Sequence, residues 1–197
     1  MAKRLRLPLA FLDSKLTRPD TSTEMSEGAP TSLSVCVHDH VACVRVTGQA
    51  KFTSATDFKN LLLQLQKDGC TDIVLDLTQC SLMDSTFLGV ITAVARRFDA
   101  ARKEGKPCTI KLYHPADRVL EALANLDMLR LFTVITDPPQ TTAFQRVENG
   151  QATRGEMTRT CLEAHQALMK VSDENARRFK DATEFFEKNL REEEDKK

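Results

Sequence analysis

The spacing of apolar positions changes several times between residues 32 and 148, and each change predicts a new element of secondary structure. In the run LSVCVHDHVACVRVTG, Val44 and Val46 alternate with polar residues, so the run predicts two strands joined by a solvated turn at residues 38–40. A helical spacing follows and ends near Gly69. Its apolar positions are Phe58, Leu61, Leu62 and Leu65. The segment TDIVLDL after it predicts a buried strand.

The rest of this region repeats the alternation of strand and helix. The stretch from Ser85 carries one apolar face at helical spacing, made of Leu88, Ile91, Val94, Ala95 and Phe98. The segments PCTIKLY and FTVI predict two further strands, and Pro115 marks the start of the helix between them. The segment PPQTTAFQRV predicts a last short helix. The resulting order, β-β-α-β-α-β-α-β-α, predicts an α/β fold in which helices cover a mixed β-sheet.

Composition separates this domain, residues 32–148, from its flanks. Residues 1–31 end in a stretch rich in Ser, Thr, Pro and charge, and they predict a mostly disordered tail, because such a segment buries too little apolar surface to offset its ordering entropy. Residues 149–155 predict a linker, residues 156–190 a helical segment, and residues 191–197 a solvated charged tail.

The helical segment, residues 156–190, is amphipathic and needs a surface to pack against. Its apolar positions recur every three or four residues: Met157, Cys161, Ala164, Leu168, Val171, Phe179, Ala182 and Phe186. Ser172 precedes two acidic residues and can cap a new helix, so the pattern allows one long helix or two with a break near Ser172. The apolar face can pack on the domain, or on the same segment of a second copy. In such a homodimer Asn175 could pair with itself and fix the register.

Composition and charge exclude several classes of protein. The 28 basic residues balance 28 acidic ones, so there is no general electrostatic attraction to nucleic acid or to an anionic membrane. No apolar run approaches the roughly 20 residues of a membrane span, and the basic, then apolar N-terminus lacks a signal-peptide cleavage site. The six cysteines form no C-x-x-C pair and predict buried free thiols of a cytoplasmic protein rather than disulfides or metal ligands.

Candidate chemistry is concentrated at a helix start, in the stretch CSLMDSTFLGVI. Asp84, Ser85 or Thr86 can cap this helix. A hydroxyl there can also carry a phosphate, because the unpaired N–H groups and the macrodipole of a helix N-terminus favour an anion. The residues alone leave both readings open, and the two are compatible. The sequence contains no phosphate-binding glycine loop and no zinc spacing, so it predicts a protein that is not an enzyme and that has no cofactor or metal.

The same stretch, with the order of elements around it, resembles the STAS domain of bacterial anti-sigma factor antagonists. In that family an apolar strand leads to a loop ending in Asp-Ser-Ser/Thr-Gly-Leu-Gly, and the matching positions here are residues 84–89. The resemblance spans about residues 33–147 and includes Val46-Thr47-Gly48 and the segment from Pro115 to Val134. It implies a STAS-like mixed β-sheet covered by helices, to which the C-terminal helical segment is appended.

The resemblance also implies a function in partner switching and transcription regulation. In the family, the matching serine is phosphorylated by a kinase that is also the anti-sigma factor, the modified form releases that partner, and a phosphatase restores binding. The resemblance therefore implies phosphorylation of Ser85, with Thr86 as the alternative. It implies a partner-binding surface made of Asp84, Ser85, Thr86, Phe87, Gly48 and Lys51. The alternatives are a STAS scaffold of a sensory complex and a STAS subunit that supports a lipid-transport ATPase.

Two positions depart from the family pattern. Phe87 stands where the family usually has glycine, and Lys51 lies in a loop where antagonists commonly carry acidic residues. Leu88 shares the apolar helical face, so we expect it in the core. Phe87 lies off that face. If it is exposed beside Ser85, we expect it either to limit how closely a partner backbone approaches or to serve as an anchor for the partner.

Overall fold

Seven strands form one sheet in the computed structural model, which describes residues 16–17, 29–106, 108–139, 141, 143–148 and 150–194. The strands are β1 (Leu16–Thr17), β2 (Ser32–His38), β3 (Val41–Ala50), β4 (Asp72–Met83), β5 (Thr109–Tyr113), β6 (Thr133–Ile135) and β7 (Gln145–Val147). Their order across the sheet is β1-β7-β2-β3-β4-β5-β6. Strands β3 to β6 run parallel, whereas β2 is antiparallel to β3 and β7. The mixed sheet of the expected α/β fold is therefore confirmed.

Five helices accompany the sheet within the described residues. They are α1 (Phe52–Lys67), α2 (Ser85–Lys103), α3 (Asp117–Ala124), α4 (Arg154–Met169) and α5 (Asp173–Glu194). A short 3₁₀ turn, Leu129–Leu131, follows α3. The helices α1, α2 and α3 connect parallel strands, as the alternating sequence pattern predicts.

The core lies where one face of the sheet meets α1 and α2. Register brings Val35, Val44, Leu75 and Leu112 into one row across four strands. All four belong to the same buried cluster as Phe58 of α1 and as Leu88 and Ile91 of α2. The expectation that Leu88 is a core residue is confirmed.

The helix α2 is buried on two sides rather than one. Its buried positions run almost without a gap through the first half of the helix: Thr86, Phe87, Leu88, Gly89, Val90, Ile91, Thr92, Val94, Ala95 and Phe98. One side faces the sheet and the other faces α4, whose Ala164 approaches Gly89. A helix between two layers loses the polar outer face that amphipathic analysis assumes.

The helices α4 and α5 form an antiparallel pair, here called the C-terminal hairpin (Arg154–Glu194). Of the two arrangements that the sequence allows, the structure has the one with a break near Ser172, because α4 ends at Met169 and α5 begins at Asp173. The Ser172 hydroxyl accepts a hydrogen bond from the backbone N–H of Asn175 at 3.3 Å. The hairpin packs on α2 and α1 of the same chain. Asn175, which a dimer would use to fix its register, instead donates to the Leu126 carbonyl at 2.9 Å.

Several sequence-based boundaries are wrong. The predicted last helix in PPQTTAFQRV is the strand β7, which gains its structure by pairing with β2 and β1. Within the predicted tail, residues 1–31, Leu16–Thr17 pair with β7, and Pro30 bridges to Gln49. Residues 1–15 and 18–28 lie outside the described residues. Both ends of the C-terminal segment also extend further than expected, because α4 begins inside the predicted linker and α5 continues into the predicted charged tail.

Candidate functional site

Asp84 joins the beginnings of two helices. Its side chain accepts a hydrogen bond from the backbone N–H of Phe87 at 2.9 Å, which caps α2. Its other carboxylate oxygen accepts from the backbone N–H of Phe52, the first residue of α1, at 2.6 Å. One negative charge therefore lies between two helix N-termini, where their macrodipoles stabilise it. The sequence-based interpretation that Asp84 can cap the helix is confirmed.

Ser85 is the first residue of α2 and points toward the C-terminal hairpin. Its Oγ lies 3.0 Å from Nε2 of His165 in α4. The Nδ1 atom of His165 lies 2.7 Å from the carbonyl oxygen of Cys161. Because a carbonyl can only accept, Nδ1 carries the hydrogen, and in the neutral ring Nε2 accepts from the Ser85 hydroxyl. The half-buried serine is thus engaged within the chain.

His165 is held in place by the second helix of the hairpin. The residue is only 6% exposed. Phe179 and Phe186 of α5 pack against the imidazole, with ring centroids 5.1 and 5.4 Å from it. The ring that receives the Ser85 hydroxyl is therefore fixed by α4 through Cys161 and by α5 through two aromatic rings.

Next to Ser85, small and polar side chains connect α4 to α1 and α2. The buried Thr86 hydroxyl donates to the Cys161 sulfur at 3.7 Å, and burial raises the pKa of that thiol. The hydroxyls of Thr56 and Thr160 lie 3.1 Å apart in the same interface. In these contacts the buried hydroxyl and thiol groups bond to one another instead of to water. The interface therefore leaves these polar groups with hydrogen-bond partners, although it is not strongly apolar.

Gly89 sets the distance between α2 and α4. A Cβ at this position would overlap the backbone carbonyl of Ala164 and its Cβ. Glycine is therefore required for this helix contact, for a steric rather than a conformational reason.

At its turn end the hairpin is bound to the domain by hydrogen bonds in both directions. In each direction, a side chain of one part donates to backbone carbonyls that follow a helix of the other. Arg96 and Arg130 donate to the carbonyls of Lys170 and Val171, just after α4, at 3.1 and 2.9 Å. In return, side chains at the start of α5 donate to the carbonyls that follow α3. These are Asn175 to Leu126 and Arg178 to Asn125, each at 2.9 Å. Carbonyls at helix C-termini lack intrahelical donors, so these bonds satisfy both ends at once.

Some of the expected partner-binding residues lie close together in the structure, whereas others are packed against the rest of the chain. Asp84, Ser85 and Lys51 lie at the adjoining starts of α1 and α2. Gly48, at φ +77°, lies against the backbone of residues 29 and 30, where a Cβ would collide with their carbonyl oxygens. The alternative phosphorylation position, Thr86, is buried.

The expectation that Phe87 is an exposed anchor is wrong. Phe87 is fully buried, and its ring stacks on Phe58 with centroids 4.6 Å apart. The aromatic side chain that is exposed near this site is Phe52, at 49%. It lies between Lys51 and Thr53, both exposed, so this end of α1 forms the uncovered side of the site.

Sequence reasoning missed His165. Its position beside the apolar seam of α4, four residues after Cys161, was the available signal. A histidine at the border of an apolar helical face predicts a half-buried ring, but the pattern does not reveal Ser85, which lies 80 residues earlier, as its partner.

The other acidic side chains of the sheet have structural partners. Asp76 is buried and pairs with Arg45 at 2.8 Å, and Asp72 accepts from the hydroxyls of Thr71 and Thr109. In the described part of the chain, no group of three or more His, Cys, Asp or Glu side chains could hold a metal ion. None of the described helices combines the length and the apolar character that crossing a membrane requires.

Comparison with known proteins identifies the fold. Residues 34–133 match a protein-family model described as "Mlab, STAS domain". Among solved structures, a candidate anti-sigma factor antagonist from Thermotoga maritima is 19% identical over 53% of this chain and 86% of that chain, with a TM-score of 0.48. The anti-sigma factor antagonist SpoIIAA in its unphosphorylated form is 16% identical over 55% of this chain and 90% of its own, with a TM-score of 0.46. The Bacillus cell fate determinant SpoIIAA in its phosphorylated form is 15% identical over 55% and 93% of the two chains, with a TM-score of 0.44.

Proposed function

Because this chain belongs to the STAS domain family, we propose that it is a non-enzymatic, cytoplasmic regulatory protein that binds a protein partner and is switched by phosphorylation of Ser85. The proposed partner is a serine kinase that acts as an anti-sigma factor, and a phosphatase reverses the modification. The main support is the position of Ser85: it is the first residue of α2, it follows the capping Asp84, and it is only half-buried.

The environment of Ser85 favours a phosphate over the alternative at Thr86. A phosphate on Ser85 would add about −1.5 to −2 charges beside the N-terminus of α2. The macrodipole of that helix tolerates an anion. Thr86 is buried beneath α4, where its hydroxyl meets the Cys161 sulfur, so a phosphate there would have to displace a packed contact.

The proposed partner surface consists of the region around Asp84 and Ser85 together with the exposed start of α1. Lys51 and Phe52 provide a positive charge and an exposed aromatic ring next to Asp84. Aromatic rings commonly supply much of the free energy of binding in protein interfaces. A phosphate at Ser85 would place a bulky anion at the edge of this surface and lower the affinity of a docked partner.

Mass spectrometry of protein purified from its own host tests this function. We expect a fraction of the chain to carry one phosphate that maps to Ser85, and Ser85→Ala to remove it. Ser81→Ala is a matched control, because Ser81 is a half-buried serine of the preceding strand, and we expect it to leave the phosphate in place. Phosphate that maps to Thr86 in the Ser85→Ala variant contradicts the assignment, and a chain without phosphate under all growth conditions contradicts the switch.

A second candidate is a permanently bound STAS subunit, either a scaffold of a sensory complex or the STAS subunit of a lipid-transport ATPase. The observation that favours it is the Ser85–His165 hydrogen bond, which gives the unmodified hydroxyl a structural role. Partner capture distinguishes the two: a permanent subunit keeps its partner whether residue 85 is serine, alanine or aspartate, whereas a switch protein loses it with Ser85→Asp.

A further inference from the structure

The C-terminal hairpin lies on the side of α2 that carries Ser85. Three contacts follow one another along the first turns of α2: Ser85 with His165, Thr86 with Cys161, and Gly89 with Ala164. A protein that docks on this side of α2 needs the space that α4 occupies. The hairpin therefore covers one side of the half-buried Ser85 in the unmodified chain.

The interface between the hairpin and the domain is polar around Ser85 and apolar at the turn end. At Ser85 and beyond it toward the start of α4, the contacts are hydroxyl, thiol, imidazole and alanine groups, with one surface ion pair between Lys59 and Glu163 at 2.8 Å. The larger apolar side chains, Leu168 and Val171, lie at the turn end. Interfaces of such mixed polarity within one chain resemble transient protein–protein interfaces.

A phosphate on Ser85 does not fit the docked hairpin. The phosphoryl group would enter the space between Oγ and Nε2 of His165, which are 3.0 Å apart. The imidazole cannot retreat within the docked hairpin, because Phe179 and Phe186 pack against it and Cys161 holds its Nδ1 atom.

Phosphorylation would also remove the hydrogen bond between Ser85 and His165. The Ser85 hydroxyl donates to Nε2, but the bridging oxygen of phosphoserine has no hydrogen to donate. In the neutral ring, Nε2 would then have no donor at this position, which is costly for a group shielded from water. The phosphate would also lie beside the carboxylate of Asp84, whose charge has the same sign.

We propose that phosphorylation of Ser85 releases the C-terminal hairpin from α1 and α2 and uncovers this face of the domain. The proposal rests on the proposed function in one respect, namely that Ser85 is the modified residue. The hairpin is then a segment of the same chain that occupies the surface around α2, and the phosphate decides whether it stays there.

Hydrogen–deuterium exchange of the full chain, with phosphoserine installed at position 85 during synthesis, tests the release. We expect amides in residues 158–168 of α4 to exchange at least about tenfold faster than in the unmodified chain, while amides in residues 73–77 of β4 keep their protection. Phosphoserine at position 53 is the matched control, because Thr53 is an exposed hydroxyl residue at the start of α1, and there we expect no change in α4. Gly89→Ala is the uncharged control, since its Cβ overlaps Ala164 and should expose α4 in the same way.

Two results overturn the proposal. One is unchanged or slower exchange in α4 with phosphoserine at position 85, which would show that the hairpin accommodates or binds the phosphate. The other is an equal acceleration in β4, which would mean that the domain unfolds rather than that the hairpin leaves. Because the phosphate is installed directly, neither result depends on whether the host modifies Ser85. An absence of phosphate in the host overturns the proposed function alone.

Discussion

At the scale of single residues, two phenylalanines near the site are expected to contribute very differently to stability. Phe87 is fully buried and stacks on Phe58, whereas Phe52 is half exposed. We expect Phe87→Ala to lower the free energy of unfolding by about 3–5 kcal/mol, because it removes buried contacts and leaves a cavity. Phe52→Ala, the control, should change it by less than about 0.5 kcal/mol. Urea denaturation measures both values, and equal midpoints for the two variants would show that Phe87 is not a core residue.

The hydrogen bond between Ser85 and His165 can be measured separately from the packing around it. In a double-mutant cycle of Ser85→Ala and His165→Ala, we expect a coupling free energy of about 0.5–1.5 kcal/mol, the usual net value of such a bond. The cavity left by His165→Ala occurs in both the single and the double variant, so it largely cancels. His38, exposed at the β2–β3 turn, provides the control cycle, in which His38→Ala and Ser85→Ala should be additive. A coupling no larger than that of the control would mean that the bond adds nothing to docking.

At the scale of secondary-structure elements, the start of α4 is expected to depend on pH. The Glu156 carboxylate accepts hydrogen bonds from the backbone N–H and from the hydroxyl of Thr153. These bonds, the backbone bond most, lower the pKa of the Glu156 carboxyl below its ordinary value of 4.5. A lowered pKa in the folded chain means that the capping contribution is present above the unfolded value and is lost as the pH falls through the folded value. We therefore expect the first turn of α4 to fray only below about pH 4.5.

Nuclear magnetic resonance titration measures this capping box directly. The Glu156 carboxyl resonance and the Thr153 amide resonance should move with one common midpoint below 4.5. In Glu156→Gln the Thr153 amide should no longer respond to pH in this range. A Glu156 midpoint at or above 4.5 would contradict the capping box.

The elements that sequence alone predicts are those whose pattern is local. The hairpin of β2 and β3 and the helices α1 and α3 follow from periodicity and from turn residues, whereas the break at Ser172 is one of the two arrangements that the capping residues allow. Strand β7 does not, because three residues carry little periodicity and its structure depends on pairing with β2, about 110 residues earlier. The expectation of an exposed Phe87 is wrong for a related reason: the sequence pattern indicates a single apolar face of α2, and packing against α4 buries a second side. The site was predictable at Asp84 and Ser85, which share a local motif, and unpredictable at His165, which reaches them only through tertiary packing.

At the scale of the whole molecule, the buried seam of the hairpin predicts a monomer. Asn175 is 1% exposed and donates to Leu126 of its own chain, so it is not available to pair across a dimer. We expect sedimentation velocity of the full chain to give a monomer at high micromolar concentration. Asn175→Ala should leave the mass unchanged and lower the free energy of unfolding by about 1–3 kcal/mol, because it leaves a carbonyl without its donor. Asn60→Ala, at an exposed position of α1, is the control and should change stability little. A dimer that Asn175→Ala dissociates would overturn this assignment.

The order of the hairpin and the domain along the chain has a consequence for the newly synthesised protein. Ser85 leaves the ribosome well before His165, and the end of the C-terminal hairpin follows the last strand of the domain by roughly 47 residues, which take about 2–9 s at ordinary rates of translation. During that interval the domain can fold while the side of α2 that α4 will cover still faces solvent. Under the proposed switch, a kinase that meets the nascent chain would reach Ser85 before α4 covers it, and the hairpin, once made, would meet a surface that already carries a phosphate. On this proposal, the moment of modification relative to synthesis would fix which conformation a molecule adopts first.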